Sequence, residues 1–194
     1  MTATAAKIIW LLFMAGYVAL RVGPRLNARK TPVRQSARNA REPVLMASAL
    51  TGLGIVPLIY VATGWPRSAD YPFLAAQGYL GSVLCVFVLW LFYRTHRDLG
   101  RNWSVSLDVR ERHTLITTGV YTLVRHPMYT AFLLMGIVQL LMLPNWIAGP
   151  AGLVAFGVLF FGRVRCEEEM MIGAFGDEYR AYMRRTTRII PWIY

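Results

Sequence analysis

Residues 128–162 read MYTAFLLMGIVQLLMLPNWIAGPAGLVAFGVLFFG, a run of 35 residues without a charged side chain. One membrane-spanning helix needs about 20 apolar residues, so this run is too long for a single span and about right for two. Pro144 and Asn145 lie near its middle, and both residue types favour turns. The run therefore predicts a tight helical hairpin whose arms are residues 128–143 and 146–162.

Three further apolar runs precede the hairpin, at residues 8–20, 44–62 and 71–93. Of all residues, 56% are hydrophobic and 16% are charged, whereas average soluble domains carry roughly 25% charged residues. The first run does not resemble a signal peptide, because most positive charge follows it and no small-x-small cleavage site is present. We predict an all-α integral membrane bundle of five transmembrane helices, forming a single domain over residues 1–194.

The positive charge is concentrated in three parts of the chain. The sequence has 21 Lys and Arg against 10 Asp and Glu, and 19 of these cations lie in residues 21–42, 94–127 and 163–194. With five spans and the N-terminus outside, all three parts lie on one side, which the positive-inside rule identifies as the cytoplasm. We expect a multi-pass protein of the cytoplasmic or inner membrane with a cytoplasmic C-terminus, whose cations flank membrane spans and do not bind nucleic acid.

Several kinds of site lack the residues they need. The two cysteines cannot form a four-ligand zinc site, and His96, His113 and His126 lack the paired spacing of metal ligands. The sequence has neither a glycine-rich nucleotide-binding turn nor a G-x-S-x-G nucleophile motif. A reaction that needs neither a metal nor a covalent intermediate fits this inventory best.

Two polar segments flank the hairpin, residues 94–127 and 163–194, and we expect them to lie next to each other as the catalytic and cofactor site. The first ends in Arg125-His126-Pro127-Met128-Tyr129, where Pro127 starts the fourth span and biases His126 toward extended backbone. The N–H groups at such a helix N-terminus can bind a carboxylate or an adenine edge. The alternative interpretation is an interfacial belt of Arg, His and Tyr with a helix-starting proline.

The second polar segment begins with Arg163-Val164-Arg165-Cys166-Glu167-Glu168-Glu169. If the last span continues as a helix, Arg163 and Glu167 share one face. The alternative interpretation of this spacing is a simple helix salt bridge, formed by an arginine that extends its charged group toward water. Three consecutive glutamates cover roughly 200° of a helix. At least one of them therefore faces inward, where it can hold a cationic cofactor or ribose hydroxyls. A short interfacial helix carrying Tyr179 and Tyr182 is predicted to follow.

Together, the motifs in these segments resemble those of the isoprenylcysteine carboxyl methyltransferase family of integral membrane proteins. The resemblance covers about half of the chain, residues 99–191, and none of it falls in the first three spans. The departures from the family pattern are Met171 where Leu is usual, Val120 where Pro is common, and Thr186-Thr187 near the end. The matching motifs are Arg125-His126-Pro127-x-Tyr129, Glu167-Glu168-x-x-Met171-x-x-x-Phe175-Gly176-x-x-Tyr179-x-x-Tyr182 and Arg188-x-x-Pro191.

The resemblance implies that S-adenosylmethionine binds on the cytosolic side in a pocket unlike a Rossmann fold, and that a lipophilic acceptor enters from the bilayer. The family's catalytic Arg and Glu on the final span correspond to Arg163 and Glu167. The family's cofactor-binding residues correspond to His113, Leu115, Tyr121, Arg125, His126, Pro127, Tyr129 and Glu168.

The implied reaction is methylation of an isoprenylcysteine-like carboxylate, and its chemistry agrees with the residue inventory. An α-carboxylate with a pKa of about 3.5 is already ionised at neutral pH, so no general base is required. What the reaction requires is alignment and a cation that holds the acceptor. We expect Arg163 to hold the acceptor carboxylate bidentately and Glu167 to orient Arg163.

Other functions remain open at this stage. The methyl acceptor could be the amine of a phospholipid or a small thiol. Membrane sterol reductases carry similar C-terminal motifs but bind NADPH. A non-enzymatic membrane protein with a basic surface for anionic lipid is a third class. The expected partners are a lipophilic or prenylated acceptor and membrane lipid, and the sequence predicts no particular oligomeric state.

Overall fold

A computed structural model describes residues 1–28, 33–36, 41–100, 108–110 and 114–194. Seven α-helices are present in these residues, and a π-helical segment, Thr51–Ile55, joins the second to the third. The π-helical segment makes residues 42–63 one continuous apolar helix. The α-helices are α1 (Ala3–Ala28), α2 (Glu42–Leu50), α3 (Val56–Thr63), α4 (Ala75–Leu99), α5 (Pro127–Met142), α6 (Ala151–Phe175) and α7 (Asp177–Arg185).

Three of these helical stretches are long and apolar enough to cross a membrane: Ala3–Pro24, Glu42–Thr63 and Ala75–Leu99. They contain or largely overlap the three apolar runs that precede the hairpin. Helix α5 is a shorter apolar helix, and α6 is apolar only in its first half. The chain is therefore a multi-pass integral membrane protein with a helical fold, as predicted.

The predicted hairpin is present, and a buried asparagine holds its turn together. The Asn145 amide nitrogen donates to the carbonyl oxygen of Pro66 and to Asp70 Oδ1, each at 2.8 Å. The Asn145 amide oxygen accepts the backbone N–H groups of Ile147 at 3.0 Å and Ala148 at 2.9 Å. The far end of the hairpin is thus tied to the loop between α3 and α4.

The second arm of the hairpin differs from its predicted bounds of residues 146–162. It begins only at Ala151, directly after Pro150, whose ring nitrogen has no N–H to donate to the carbonyl four residues earlier. It also continues through the charged residues to Phe175. The second polar segment therefore starts as a rigid extension of the membrane helix, which fixes the direction in which its side chains point.

The helices pack closely where small residues meet. A Cβ atom added to Gly52, in the π-helical segment, would overlap Ala155 Cβ and lie 2.5 Å from the Ala151 carbonyl oxygen. Beside this contact the buried Gln139 amide donates to the Gly52 carbonyl at 3.0 Å and to the Ala148 carbonyl at 2.6 Å. Small residues and satisfied polar groups are what hold helices together in lipid. The π-helical segment, α5 and α6 are therefore locked to one another.

Two short strands form a feature that the sequence analysis did not predict. Strand β1 (Val33–Ser36) pairs antiparallel with β2 (Asp108–Arg110), with Gln35 opposite Val109. Strands of three or four residues are too short for an alternating pattern to be recognised. The pairing connects the chain before α2 to the chain before α5.

The structure predicts that Asn145→Ala lowers the free energy of unfolding by about 2 kcal/mol or more, because the mutation leaves the polar partners of Asn145 buried without hydrogen bonds. Thermal unfolding in detergent micelles measures this loss. The matched control is Ile147→Ala, which removes an exposed side chain from the same turn and should change the unfolding temperature much less. Equal unfolding temperatures for the two variants would contradict the role given to Asn145.

Candidate functional site

A cavity of about 340 Å³ lies between the helices, bounded by residues of both polar segments. Ligand sites commonly measure roughly 300–1,000 Å³. Of the ten predicted site residues, eight line the cavity, Glu168 lies behind its wall, and His113 falls outside the residues that the structure describes. The eight are Leu115, Tyr121, Arg125, His126, Pro127, Tyr129, Arg163 and Glu167.

The Arg-His-Pro stretch passes from non-helical backbone into a helix, as predicted. His126 has φ −125° and ψ 60°, outside the helical region and short of the extended one, and Pro127 is the first residue of α5. The N–H groups of Arg125 and His126, however, donate to the carbonyls of Thr187 at 2.9 Å and Arg188 at 3.0 Å. These two N–H groups are therefore used to dock the C-terminal segment and are not open to a ligand.

Glu168 joins both polar segments through a group of buried ionic hydrogen bonds. Its carboxylate accepts from Arg125 Nε at 2.6 Å and from Arg188 Nη2 at 2.8 Å, and His126 Nε2 lies 3.3 Å away. Burial opposes ionisation of Glu168. Hydrogen bonds from His126, Arg188 and Arg125 outweigh this effect and hold the pKa of that carboxyl well below its ordinary value of 4.5. Glu168 is thus a fixed anion that supports the cavity wall.

Arg163 does not form the predicted contact with Glu167. Its Nη2 lies 3.2 Å from Oε1 of Glu42, the first residue of α2. The i, i+4 spacing does place Arg163 and Glu167 on the same side of α6, but the long guanidinium side chain reaches across to the neighbouring helix. In this structure the ionic partner of Arg163 is therefore Glu42.

Glu167 instead contacts two residues of the Arg125-His126-Pro127-x-Tyr129 motif. The Tyr129 hydroxyl donates to Glu167 Oε2 at 2.8 Å, and His126 Nδ1 lies 3.8 Å from Glu167 Oε1. The Glu167 side chain is 30% exposed and lines the cavity. It therefore presents a negative charge to whatever occupies the cavity.

Glu42 is the residue of this site that the sequence analysis missed. One signal in the sequence points to it, because Glu42 is the only acidic residue among the first 69 and stands directly before an apolar run. A lone carboxylate between a basic stretch and a membrane helix needs a cation when it is buried. The sequence does not show which of the nearby cations that is.

The remainder of the cavity is apolar and rich in methionine. Six of the chain's nine methionines line it, and methionine adapts its shape to irregular partners. Tyr179 and Tyr182 of α7 also line the cavity, and burial raises the pKa of both hydroxyls. The cavity thus combines a charged part, near Arg163 and Glu167, with a flexible apolar part. The six methionines are Met14, Met46, Met128, Met135, Met170 and Met171.

Comparison with known proteins identifies relatives that are similar to about two thirds of this chain. Protein-S-isoprenylcysteine O-methyltransferase of Mus musculus is 32% identical over 131 residues, covering 66% of this chain and 45% of the mouse protein. The cobalt-zinc-cadmium resistance protein CzcN of Cupriavidus metallidurans is 30% identical over 139 residues, covering 71% of this chain and 58% of that protein. The chain thus spans about half the length of the curated relatives it matches.

The fold has a solved counterpart. The structure of the eukaryotic intramembrane Ras methyltransferase ICMT matches with a TM-score of 0.54 at 24% identity, covering 81% of this chain and 55% of that chain. A model of the isoprenylcysteine carboxyl methyltransferase (ICMT) family matches residues 80–173. This segment contains Arg125, His126, Arg163 and Glu168, which meet around the cavity. Through it, just under half of this chain matches the isoprenylcysteine carboxyl methyltransferase family.

Proposed function

We propose that the protein is an S-adenosylmethionine-dependent methyltransferase that methylates the carboxylate of a lipophilic, isoprenylcysteine-like acceptor. One observation carries this proposal, namely that a single cavity joins a charged part, which contains Arg163 and Glu167, to a methionine-rich apolar part. Such a cavity suits one ligand with charged groups and another with a long apolar group. The similarity to this family supports the same reaction.

The residues around the cavity fit the cofactor. When bound, S-adenosylmethionine supplies a methyl group whose transfer to a carboxylate oxygen breaks the carbon–sulfur bond, leaves the electron pair on sulfur and moves no proton. Glu167, held by Tyr129, provides a negative charge that favours a cationic ligand. Arg125 and His126 line the same side and are fixed by Glu168. We assign these lining residues to cofactor binding, together with Leu115, Tyr121, Pro127 and His113. Glu168 supports the cofactor site from behind by holding Arg125 and His126.

Arg163 holds the acceptor in this proposal. A guanidinium binds a carboxylate in a planar, directional manner, and the buried position of Arg163 excludes competing water. Aligning the acceptor oxygen with the methyl carbon can supply several kcal/mol of rate acceleration. Since the attacking anion is already ionised, the protein needs to position it and does not need to deprotonate it.

We further propose that α5 and α6 also cross the membrane, giving five spans with the N-terminus outside and the C-terminus in the cytoplasm. The observed hairpin and the concentration of 19 of 21 cations in residues 21–42, 94–127 and 163–194 support this arrangement. The two polar segments, residues 94–127 and 163–194, are then the cytosolic part that forms the site. Membrane lipid and a lipophilic or prenylated acceptor are the partners.

The proposed activity can be tested with detergent-purified protein and radiolabelled S-adenosylmethionine. We expect transfer of label to farnesylated cysteine carboxylates, and binding of S-adenosylhomocysteine but not of NADPH. Label on an ethanolamine lipid, with a rate that rises steeply between pH 7 and 9, would favour an amine acceptor. Binding of NADPH alone would place the protein with reductases, and no cofactor binding would exclude both enzyme classes.

Replacing Arg163 by Lys should lower kcat/KM for the carboxylate acceptor by about 100-fold, because an ammonium cannot reproduce the planar fork. S-adenosylhomocysteine affinity and the unfolding temperature should stay near those of the wild type. Arg165→Lys is the matched control, since Arg165 is exposed two residues further along α6. Wild-type turnover by the Arg163 variant would remove this residue from the mechanism.

Replacing His126 by Ala should weaken S-adenosylhomocysteine binding by about 10-fold, since the mutation removes a cavity-lining ring and one hydrogen bond to an ionised carboxylate. Calorimetric titration measures the affinity. Leu123→Ala, at an exposed position three residues earlier, should bind like the wild type. An unchanged affinity for the His126 variant would reduce the Arg-His-Pro stretch to a helix start.

A further inference from the structure

The cavity's buried arginine takes its counterion from a part of the chain outside the segment that defines the family. Arg163 lies within residues 80–173, whereas Glu42 precedes them. Both side chains are 9% exposed. A buried guanidinium needs an anion, because removing a charge from water without a partner costs several kcal/mol. In this protein Glu42 meets that need.

The first turn of α2 is built around the guanidinium. Glu42 lies near Nη2, and Met46 Sδ is 4.0 Å from Nη1. Leu45, which lies between Glu42 and Met46 in the sequence, packs against α6 at the residue before Arg163. The contact is so close that a Cβ added to Gly162 would lie 2.8 Å from Leu45 Cδ2. Pro43 and the acidic Glu42 also suit a helix start. The position of Glu42 is thus set by rigid helix contacts.

The ion pair leaves part of the guanidinium unused. Glu42 Oε1 lies 3.2 Å from Nη2 without forming a hydrogen bond, and both Glu42 Oε1 and Nε of Arg163 are buried without a hydrogen-bond partner among the described residues. Such a buried donor is rare, and its presence points to a missing acceptor. Because Arg163 lines the cavity, a carboxylate bound there can accept from Nε.

We propose that Glu42 is the positioning residue for Arg163, so that α2 controls how the cavity binds the acceptor's carboxylate; this rests on the proposed function. Glu42 neutralises Arg163 when no acceptor is present and holds its guanidinium in place by one nitrogen. An incoming carboxylate competes with Glu42 for the same positive charge. After transfer the product ester is neutral, and Glu42 again neutralises Arg163, which favours product release.

This proposal predicts different effects for two substitutions of Glu42. In Glu42→Gln the side chain keeps its size and places an amide oxygen near Nη2, so kcat should stay within about 3-fold of the wild type. The competing negative charge is gone, so KM for the carboxylate acceptor should fall about 3-fold or more. In Glu42→Ala the guanidinium loses its anchor, and kcat should fall about 10-fold. Glu169→Gln, an exposed change of equal charge on α6, should alter neither constant.

A double-mutant cycle tests whether Glu42 acts through Arg163. Glu42→Ala should lower kcat by less than 2-fold in the Arg163→Lys background, because the group that it positions is already gone. S-adenosylhomocysteine affinity, unchanged in every variant, shows that the proteins are folded. Additive losses in the cycle, or a KM for Glu42→Gln equal to that of the wild type, overturn the role of Glu42 while leaving the methyltransferase function intact. A wild-type protein that methylates no carboxylate overturns both proposals.

Discussion

The buried carboxylate of Glu168 holds together three parts of the chain that are distant in sequence. It binds Arg125 and lies beside His126 before α5, and it also binds Arg188 after α7. Arg125 would be costly to bury without an anion, and the carboxylate would be costly to bury without its hydrogen-bond donors. Their mutual satisfaction closes one side of the cavity. The hydrogen bonds between residues 125–126 and the carbonyls of 187–188 then align the same two backbone segments.

Buried polar side chains with satisfied hydrogen bonds also hold the helices of the protein together. Gln139 and Asn145 are buried, and each of their amides bonds to backbone atoms of neighbouring elements. In lipid there is no water to replace such partners. Close contact at Gly52 brings the π-helical segment against α6. These contacts set the course of α6, and α6 in turn carries Arg163, Glu167 and Glu168 to the cavity.

The charged part and the apolar part of the cavity differ in the kind of side chain that lines them. The charged part is made of paired side chains, with Arg163 beside Glu42 and Glu167 held by Tyr129. The apolar part is lined by methionines, whose flexible side chains accommodate varied shapes. The family model matches residues 80–173, which carry Arg163 and Glu167, whereas Met14 and Met46 come from helices outside that segment. The apolar part of the cavity is therefore lined in part by helices that the family model does not cover.

Local sequence was enough for the helices and the hairpin, and the family resemblance identified eight of the residues that line the cavity. Apolar runs and the Pro144-Asn145 turn are properties of neighbouring residues, and the spacing of the two motifs around the hairpin implied that they meet. The distant partners of Asn145 and of Arg163 were decided only in the folded protein. Asn145 donates to Pro66 and Asp70 in the loop between α3 and α4, and Arg163 pairs with Glu42 of α2. Such pairings follow from the packing of whole helices, and no pattern within one segment encodes them.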